Sequence, residues 1–463
     1  MGAARASRVI GALCVAVAVA VCAVGVLAGR AAFAQPEQAT ARGVHEGVAS
    51  CADSSCHSRQ VDSGAVVRQN ELITWQDPSS PAGVHSRAWR VLTQPRAQAI
   101  ARKMGIGPAE SAKECLGCHA DPAPANLRGA KFRLDDGVGC ESCHGGSSGW
   151  LASHRTVGGT HAANVAAGMR ALENPKVRAG VCLDCHFGGS KPGQFVTHQI
   201  MAAGHPRVSF ELDLFSSLLQ HWDVDADYVK RKGYAGGVRT WAVGQAMAVD
   251  RALTLYAEPG GRGQGAFPEF YFFDCHSCHR EIKDDPKARP TWEANPGRPI
   301  PSGQPPFNDE NMIMLTAAAQ AVSPGLAARF EADSRAFHAA MARDRGDSAR
   351  AAGRLAASAR ALSDAFARHE FSRRETLAIL DAVLTGEISK RYTDYAGSAQ
   401  AVMAADTLLN ALVSSGQADR GAVARIRPSL TAAYAQVRDP NAYRPGAFRA
   451  SMTQVAQAAR SLK

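Results

Sequence analysis

The sequence predicts a mainly α protein in two parts: a loop-rich first part built from short helices, and an α-helical module at the C-terminal end. Three observations carry this expectation. Ten of the twelve cysteines fall in five short motifs between Cys51 and His279, a span of 229 residues punctuated by glycine and proline. Seven prolines then lie between Pro286 and Pro306. Beyond them, residues 307–463 contain no cysteine and no tryptophan and are rich in Ala, Arg and Leu, with apolar residues at helical spacing.

The chain opens with Arg5 and Arg8, an apolar run from Val9 to Leu27, and Ala32-Phe33-Ala34. That order of charge, apolar stretch and small residues predicts a secretory signal peptide over residues 1–34, cleaved after Ala34. The run of 19 residues is also long enough to span a bilayer, so an uncleaved anchor over residues 9–27 is the alternative. Cys14 and Cys22 lie inside this segment. Either way the rest of the chain is expected outside the cytoplasm, in the periplasm or an equivalent compartment. The formal charge is +10, and removing residues 1–34 takes away Arg5, Arg8 and Arg30 and no acid, which leaves +7.

The five motifs are CADSSCH at 51–57, CLGCH at 115–119, CESCH at 140–144, CLDCH at 182–186 and CHSCH at 275–279. Exported chains with many cysteines can be disulfide frameworks, and Cys-x-x-Cys pairs can hold zinc. Neither explains a histidine directly after every second cysteine. Covalent c-type haem does: two thiols reach the vinyl groups on one porphyrin edge, and the adjacent histidine is placed beneath the ring to bind iron. The attachment residues are therefore Cys51, Cys56, Cys115, Cys118, Cys140, Cys143, Cys182, Cys185, Cys275 and Cys278, with His57, His119, His144, His186 and His279 as proximal ligands. The first motif is wider than the rest, with four residues between its cysteines. Five haems also bring ten propionates, which offset most of the basic charge, so net charge gives no case for nucleic acid.

These readings divide the chain into a pentahaem cytochrome c domain at 35–285, a Pro-rich linker or wrapping arm at 286–306 and an α-helical module at 307–463. With one motif per about 46 residues, porphyrin faces supply much of the buried apolar surface, so short helices joined by loops are expected with little sheet. In the module, Ser372 and Glu375 form a capping box ahead of Leu377, Leu380 and Leu384, and Val402, Ala405, Leu409 and Leu412 make a second apolar stripe. Four to six helices are expected there, broken near Pro324, Gly386, Gly416 and Pro440. They pack on the haem core or, in the sharper reading, offer a surface for docking or for a homodimer.

Ten histidines remain after the proximal five. A second histidine on an iron makes it six-coordinate and suited to electron transfer, whereas an open position admits a substrate. His198 and His205, seven residues apart in THQIMAAGHPR, would share a helical face about 10.5 Å apart along the axis and could serve two neighbouring haems. His154 in WLASHR and His85 in HSRAW are the other distal candidates. His45, His161 and His221 are weaker, His276 sits inside a motif, and His338 and His369 are expected to be solvated on the helical module.

From Cys51 to His186 the motif order resembles the tetrahaem cytochromes c that accept electrons from hydroxylamine oxidoreductase, and the larger multihaem family with the same haem packing. The residues that carry the resemblance are the first motif, HSRAW around His85, CLGCH, GVGCESCHGG with His154 shortly after, and CLDCH. The resemblance implies His154 as distal ligand to the haem of His57 and His85 as distal ligand to the haem of His144. It also implies that the haem of His119 is the open one, unless His198 or His205 fills it. Pentahaem nitrite reductases replace one motif histidine by lysine, and no CxxCK occurs here.

Two functions follow. The first is an extracytoplasmic electron carrier of five haems, working between redox proteins or a quinol-linked membrane enzyme and an acceptor. The alternative is a haem oxidoreductase acting on a small nitrogen or sulfur compound at one five-coordinate haem, that of His119.

Overall fold

The computed structural model describes residues 43–60, 69–189, 191, 193–207, 209–258, 269–279, 293–295, 297–298, 300 and 304–462. The signal segment 1–34, the anchor alternative at 9–27 and much of the Pro-rich stretch lie outside these residues. The described chain is helical throughout, and its only β pairings are two isolated bridges, His45 with Arg128 and Phe273 with Phe307. No described helix is long and apolar enough to cross a membrane.

The first part carries short helices: α1 Glu71–Gln76, α2 Pro95–Met104, α3 Lys113–His119, α4 Cys140–His144, α5 Leu151–His154, α6 His161–Ala166, α7 Pro175–Leu183, α8 His198–Ala203, α9 Leu212–Leu218 and α10 Ala226–Lys232. The long α11, Gly237–Ala257, follows. The remainder is α12 Glu310–Val322, α13 Pro324–Met341, α14 Arg345–Arg368, α15 Arg373–Leu384, α16 Gly386–Ser389, α17 Tyr395–Ser414, α18 Arg420–Ala424, α19 Arg427–Gln436 and α20 Pro445–Ala459.

The C-terminal part thus holds nine helices among the described residues rather than four to six. The expected breaks at Pro324, Gly386, Gly416 and Pro440 are present, and four more fall at 342–344, 369–372, 390–394 and 425–426. The extra breaks follow from capping chemistry. Asp344 accepts the Asp347 N–H at the head of α14, and Ser372 with Glu375 closes a reciprocal capping box on α15. Pro428, the second residue of α19, sits where its missing N–H costs nothing.

A single apolar core runs through this region, and it starts before the Pro-rich stretch. Helix α11 packs on α14, α12 and α17 and on α7 and α9 of the first part. Trp241, Val243, Val249, Leu253 and Leu255 are buried in the same core as Leu355, Leu362, Phe366, Val402, Leu408 and Leu412. Buried on most sides, α11 shows no one-sided apolar stripe, so its sequence period gave no warning of its central place. Ion pairs fix the haem-motif part to this core: Lys176 of α7 with Asp364 of α14, Arg360 of α14 with Asp250 of α11, and Arg251 of α11 with Asp184 at 2.6 Å.

The described residues of the Pro-rich stretch lie along the module. Glu293 N–H donates to Thr393 O (3.0 Å), and Asn295 Nδ2 donates to Asp309 Oδ2 (3.0 Å). Arg298 is buried between Asp309 and Asp394.

Candidate haem sites

In a Cys-x-x-Cys-His string wound as a helix, both cysteines and the histidine fall within just over one turn and share a face. The second and third motifs use this: His119 and His144 are the last residues of α3 and α4. The fourth begins in α7 and continues into a wider π-helical turn, Asp184–Gly188. The fifth forms a tight turn, Cys275–Ser277, where the Asp274 carboxylate accepts the His276 N–H. The first, with its longer spacing, is a run of turns after the short turn Val48–Ser50.

The motifs converge in pairs. The Cys51 and Cys140 side chains stand against one another, joining motifs one and three. Motifs two and four meet likewise, with the Cys118 thiol donating to Cys185 O (3.9 Å) and the Cys185 thiol to Gly117 O (3.7 Å). Gly117, inside the second motif, makes the latter approach feasible, since a Cβ there would stand 2.5 Å from the Gly193 carbonyl. All ten motif thiols are free, and among the described residues no cluster of three or more His, Cys, Asp or Glu side chains is arranged to hold a bare metal ion.

The histidines supply the test of fit. With metal–imidazole bonds of about 2 Å and ring centres about 1 Å behind each nitrogen, two imidazoles on opposite sides of one iron have centres about 6 Å apart. Four motif histidines have a non-motif histidine at that spacing. His57 faces His154 at 6.0 Å with parallel rings, His85 faces His186 at 6.0 Å, His119 faces His205 at 6.3 Å and His198 faces His279 at 6.0 Å. The residues present therefore fit four haem irons held from both sides.

One of these placements, that of His85, corrects what the resemblance implied. His85 sits against His186 rather than His144. Its backbone is tied to the loop leading into the third motif, where Val138 N–H donates to His85 O (3.0 Å), and its ring reaches on to the fourth. Gly137 in that loop has φ +74, and a Cβ would stand 2.6 Å from the same carbonyl. Opposite His119, open in the tetrahaem pattern, stands His205, one of the two histidines expected to fill that position. The shared helix expected for His198 and His205 is also absent. Helix α8 ends at Ala203, Gly204 turns the chain at φ +121, and each histidine serves a different motif from a different piece of backbone.

Hydrogen bonds orient the rings so that Nε2 is left for metal. Nδ1–H donates from His57 to Glu71 Oε2 (2.9 Å), from His119 to Ala88 O (2.8 Å) and from His205 to Pro206 O (2.8 Å). Electrostatics agree. Burial pushes His144 down to about 3 and His186 down to about 4, and it lowers His85, His154 and His205 as well, so these rings are the neutral form that binds metal. His57 alone moves the other way, raised chiefly by its hydrogen bond to Glu71.

The remaining histidines have other surroundings. His45 Nδ1 lies 2.8 Å from Asp121, His161 Nε2 lies 2.9 Å from Glu173, and His276 packs 5.5 Å from the Tyr395 ring. His338, expected to be solvated, is 1 % exposed, with its Nδ1–H on Ser334 O, because its helix turns that face into the core. His369 is half-buried with Nε2 3.1 Å from Glu375.

Glu141, between the cysteines of the third motif, was not singled out from the sequence. Its buried carboxylate accepts N–H groups from Glu46 (2.8 Å), Gly47 (2.7 Å) and Ser147 (2.7 Å), clamping the segment ahead of the first motif onto the third. Nothing in a Cys-Glu-Ser-Cys string signals this, since two of its three partners, Glu46 and Gly47, lie about 95 residues away.

Thiol pairs followed by histidine, with imidazoles facing one another at the spacing of a doubly ligated iron, define a c-type cytochrome, a protein of electron transfer. Residues 50–145, which include the first three motifs, match the family model described as cytochrome c554 and c-prime, in agreement with the resemblance carried by the motifs. No curated protein and no solved structure matches the chain.

Proposed function

We propose that the chain is an extracytoplasmic multihaem c-type cytochrome that carries electrons between redox partners through five covalently bound haems. When bound, the haems supply reversible one-electron chemistry at iron. The residues of the chain attach them, hold the neutral imidazoles in line and tune them through groups such as Glu71. The observation that carries the reading is the set of four facing histidine pairs, since an iron held from both sides has no place for a substrate. His205 opposite His119 tells against an enzyme built on that haem. Convergence of motifs one with three and two with four supports close haem contacts, which relay of electrons requires. Exported redox proteins or a quinol-linked membrane enzyme are the partners this chemistry suits, and nucleic acid is not among them.

Haem loading tests the reading. The intact mass of protein matured with a haem-attachment system should exceed that of the polypeptide by five haem units, unchanged by acid-acetone extraction, and reductive titration should take up five electrons per chain. Four units would mean that the wide Cys51–Cys56 site is not loaded, and extractable haem would contradict covalent attachment.

A further inference from the structure

We infer that Glu71 is a positioning residue that gives the haem of His57 the lowest reduction potential in the chain, through the hydrogen bond it accepts from Nδ1–H of that histidine. The inference rests on the reading of the chain as a loaded multihaem electron carrier, and it assigns one haem its place in the order of reduction.

The chain is folded back to make this contact. Arg59 N–H donates to Gln69 O (2.7 Å) and Leu72 N–H donates to His57 O (2.9 Å), so residues on either side of Glu71 are stitched to the backbone at the end of the first motif. Glu71 is the first residue of α1, and Trp75, one turn later, is buried and anchors the helix. Gln69 has φ +55, the one left-handed non-glycine residue among those described. A side chain of that size takes this conformation only where its surroundings hold it there, and such positions gather at functional sites. The result is a carboxylate oxygen, Oε2, 2.9 Å from His57 Nδ1 on a side chain only 20 % exposed, where water competes little for the bond.

The ring held in this way is one of a facing pair. His57 and His154 stand 6.0 Å apart with rings 6° from parallel, which leaves Nε2 of His57 for iron while its Nδ1–H meets Glu71. Carboxylate, imidazole and metal then lie in a row. An anionic acceptor draws on the Nδ1 proton and raises the electron density at Nε2, and such a charge-assisted bond is about twice as strong as a neutral one. Ferric iron carries one more positive charge than ferrous iron, so the electron-rich ligand and the nearby anion both favour the ferric state. Reduction adds one electron to the iron with no bond made or broken, and His57 keeps its Nδ1 proton. The haem of His57 is therefore the last to be reduced and the first to give its electron up.

The other pairs have neutral acceptors or none of this kind. His119 and His205 donate to the carbonyls of Ala88 and Pro206. Across from His57, His154 Nδ1 meets the neutral Asn164 amide at 3.3 Å. Carboxylates do bond histidines elsewhere, but Asp121, Glu173 and Glu375 hold His45, His161 and His369, which are not members of the four facing pairs. Among the described residues Glu71 is thus the one carboxylate hydrogen-bonded to a motif histidine or to a histidine facing one.

The test uses the full-length holoprotein with Glu71→Gln, which keeps the shape of the side chain and removes its charge, in a spectroelectrochemical titration that resolves the one-electron steps. The lowest step should rise by about 59 mV, a tenfold change in the preference for ferric over ferrous iron, while the other steps and the haem content stay as in wild type. A second measurement leaves Glu71 in place and decides alone if Glu71→Gln matures poorly. His154→Ala and His205→Ala each leave one reduced haem five-coordinate, and resonance Raman spectroscopy reads its iron–histidine stretch. The stretch of His57, bonded to a carboxylate, should lie at higher frequency than that of His119, bonded to a carbonyl. The inference is overturned if no step moves in Glu71→Gln, if the step that moves is not the lowest, or if the two stretches coincide or fall in the opposite order. Fewer than five haems in wild type would instead count against the five-haem reading itself.

Discussion

Replacing Arg298 by methionine will lower the unfolding free energy of the protein by about 3–5 kcal/mol, the cost of leaving buried carboxylates without their counter-charge. Arg298 donates through Nη2 to Asp394 Oδ2 (2.7 Å) and through Nη1 to Phe307 O (2.8 Å), and its Nε lies 3.3 Å from Asp309 Oδ2. Its side chain is 1 % exposed, so solvent cannot take over any of these roles. Asp394 also caps α17 by accepting the Gly397 N–H, and Asp274 heads the fifth motif. The loss therefore touches both the helical core and the last haem site. Stabilities of folded domains are themselves about 5–15 kcal/mol, so the urea midpoint should fall by about a fifth or more.

The size of that loss will depend on pH. Burial already pushes Asp309 and Asp274 up to about 7, well above the usual carboxylate range. A carboxyl whose folded-state value is raised favours the folded state when protonated, and stability is lost as pH rises from about 4 through about 7. Without Arg298 these groups hold their protons more tightly still, so the variant should be less destabilised at pH 5 than at pH 8. Equal losses at both values would show that the carboxylates are relieved in some other way.

Replacing His205 by alanine will turn the haem of His119 from low-spin to high-spin and open it to carbon monoxide, with no loss of haem. The thioether bonds to Cys115 and Cys118 do not involve the distal side, and His119 keeps its hydrogen bond to Ala88 O (2.8 Å), so the proximal half of the site stays in place. The ring at 6.3 Å is what disappears. About a fifth of the haem absorbance should change. His161→Ala, whose ring is held by Glu173, serves as a control that leaves the spectrum unaltered. An unchanged spectrum in His205→Ala would remove His205 from the ligand set.

How much of this was legible in the sequence depended on how far apart the cooperating residues lie. The haem motifs are local, with attachment and proximal ligation written within seven residues or fewer. The Ser372–Glu375 capping box is equally local and forms as its spacing requires. Distal ligation is not local: the four facing pairs join residues 81 to 101 positions apart, and each depends on how loops between the motifs are tied down. The resemblance to a smaller relative supplied His154 with His57. It misled for His85, whose backbone is fixed beside Val138 while its ring serves the next motif. Helical periodicity misled for His198 and His205, because Gly204 ends α8 between them, although both histidines meet motif partners. The core was underestimated for a different reason. Helix α11 is buried on most sides and precedes the prolines, so neither periodicity nor composition assigned it to the C-terminal module.

Electron paramagnetic resonance of the fully oxidised wild-type protein, with the signals integrated against total haem, tests the central claim most directly. An electron carrier whose irons are each held by two imidazoles predicts low-spin ferric signals for all five haems, and little carbon monoxide uptake after reduction. One equivalent of high-spin ferric haem that binds nitric oxide or carbon monoxide rapidly would contradict it, and would make that haem the reaction site of an enzyme.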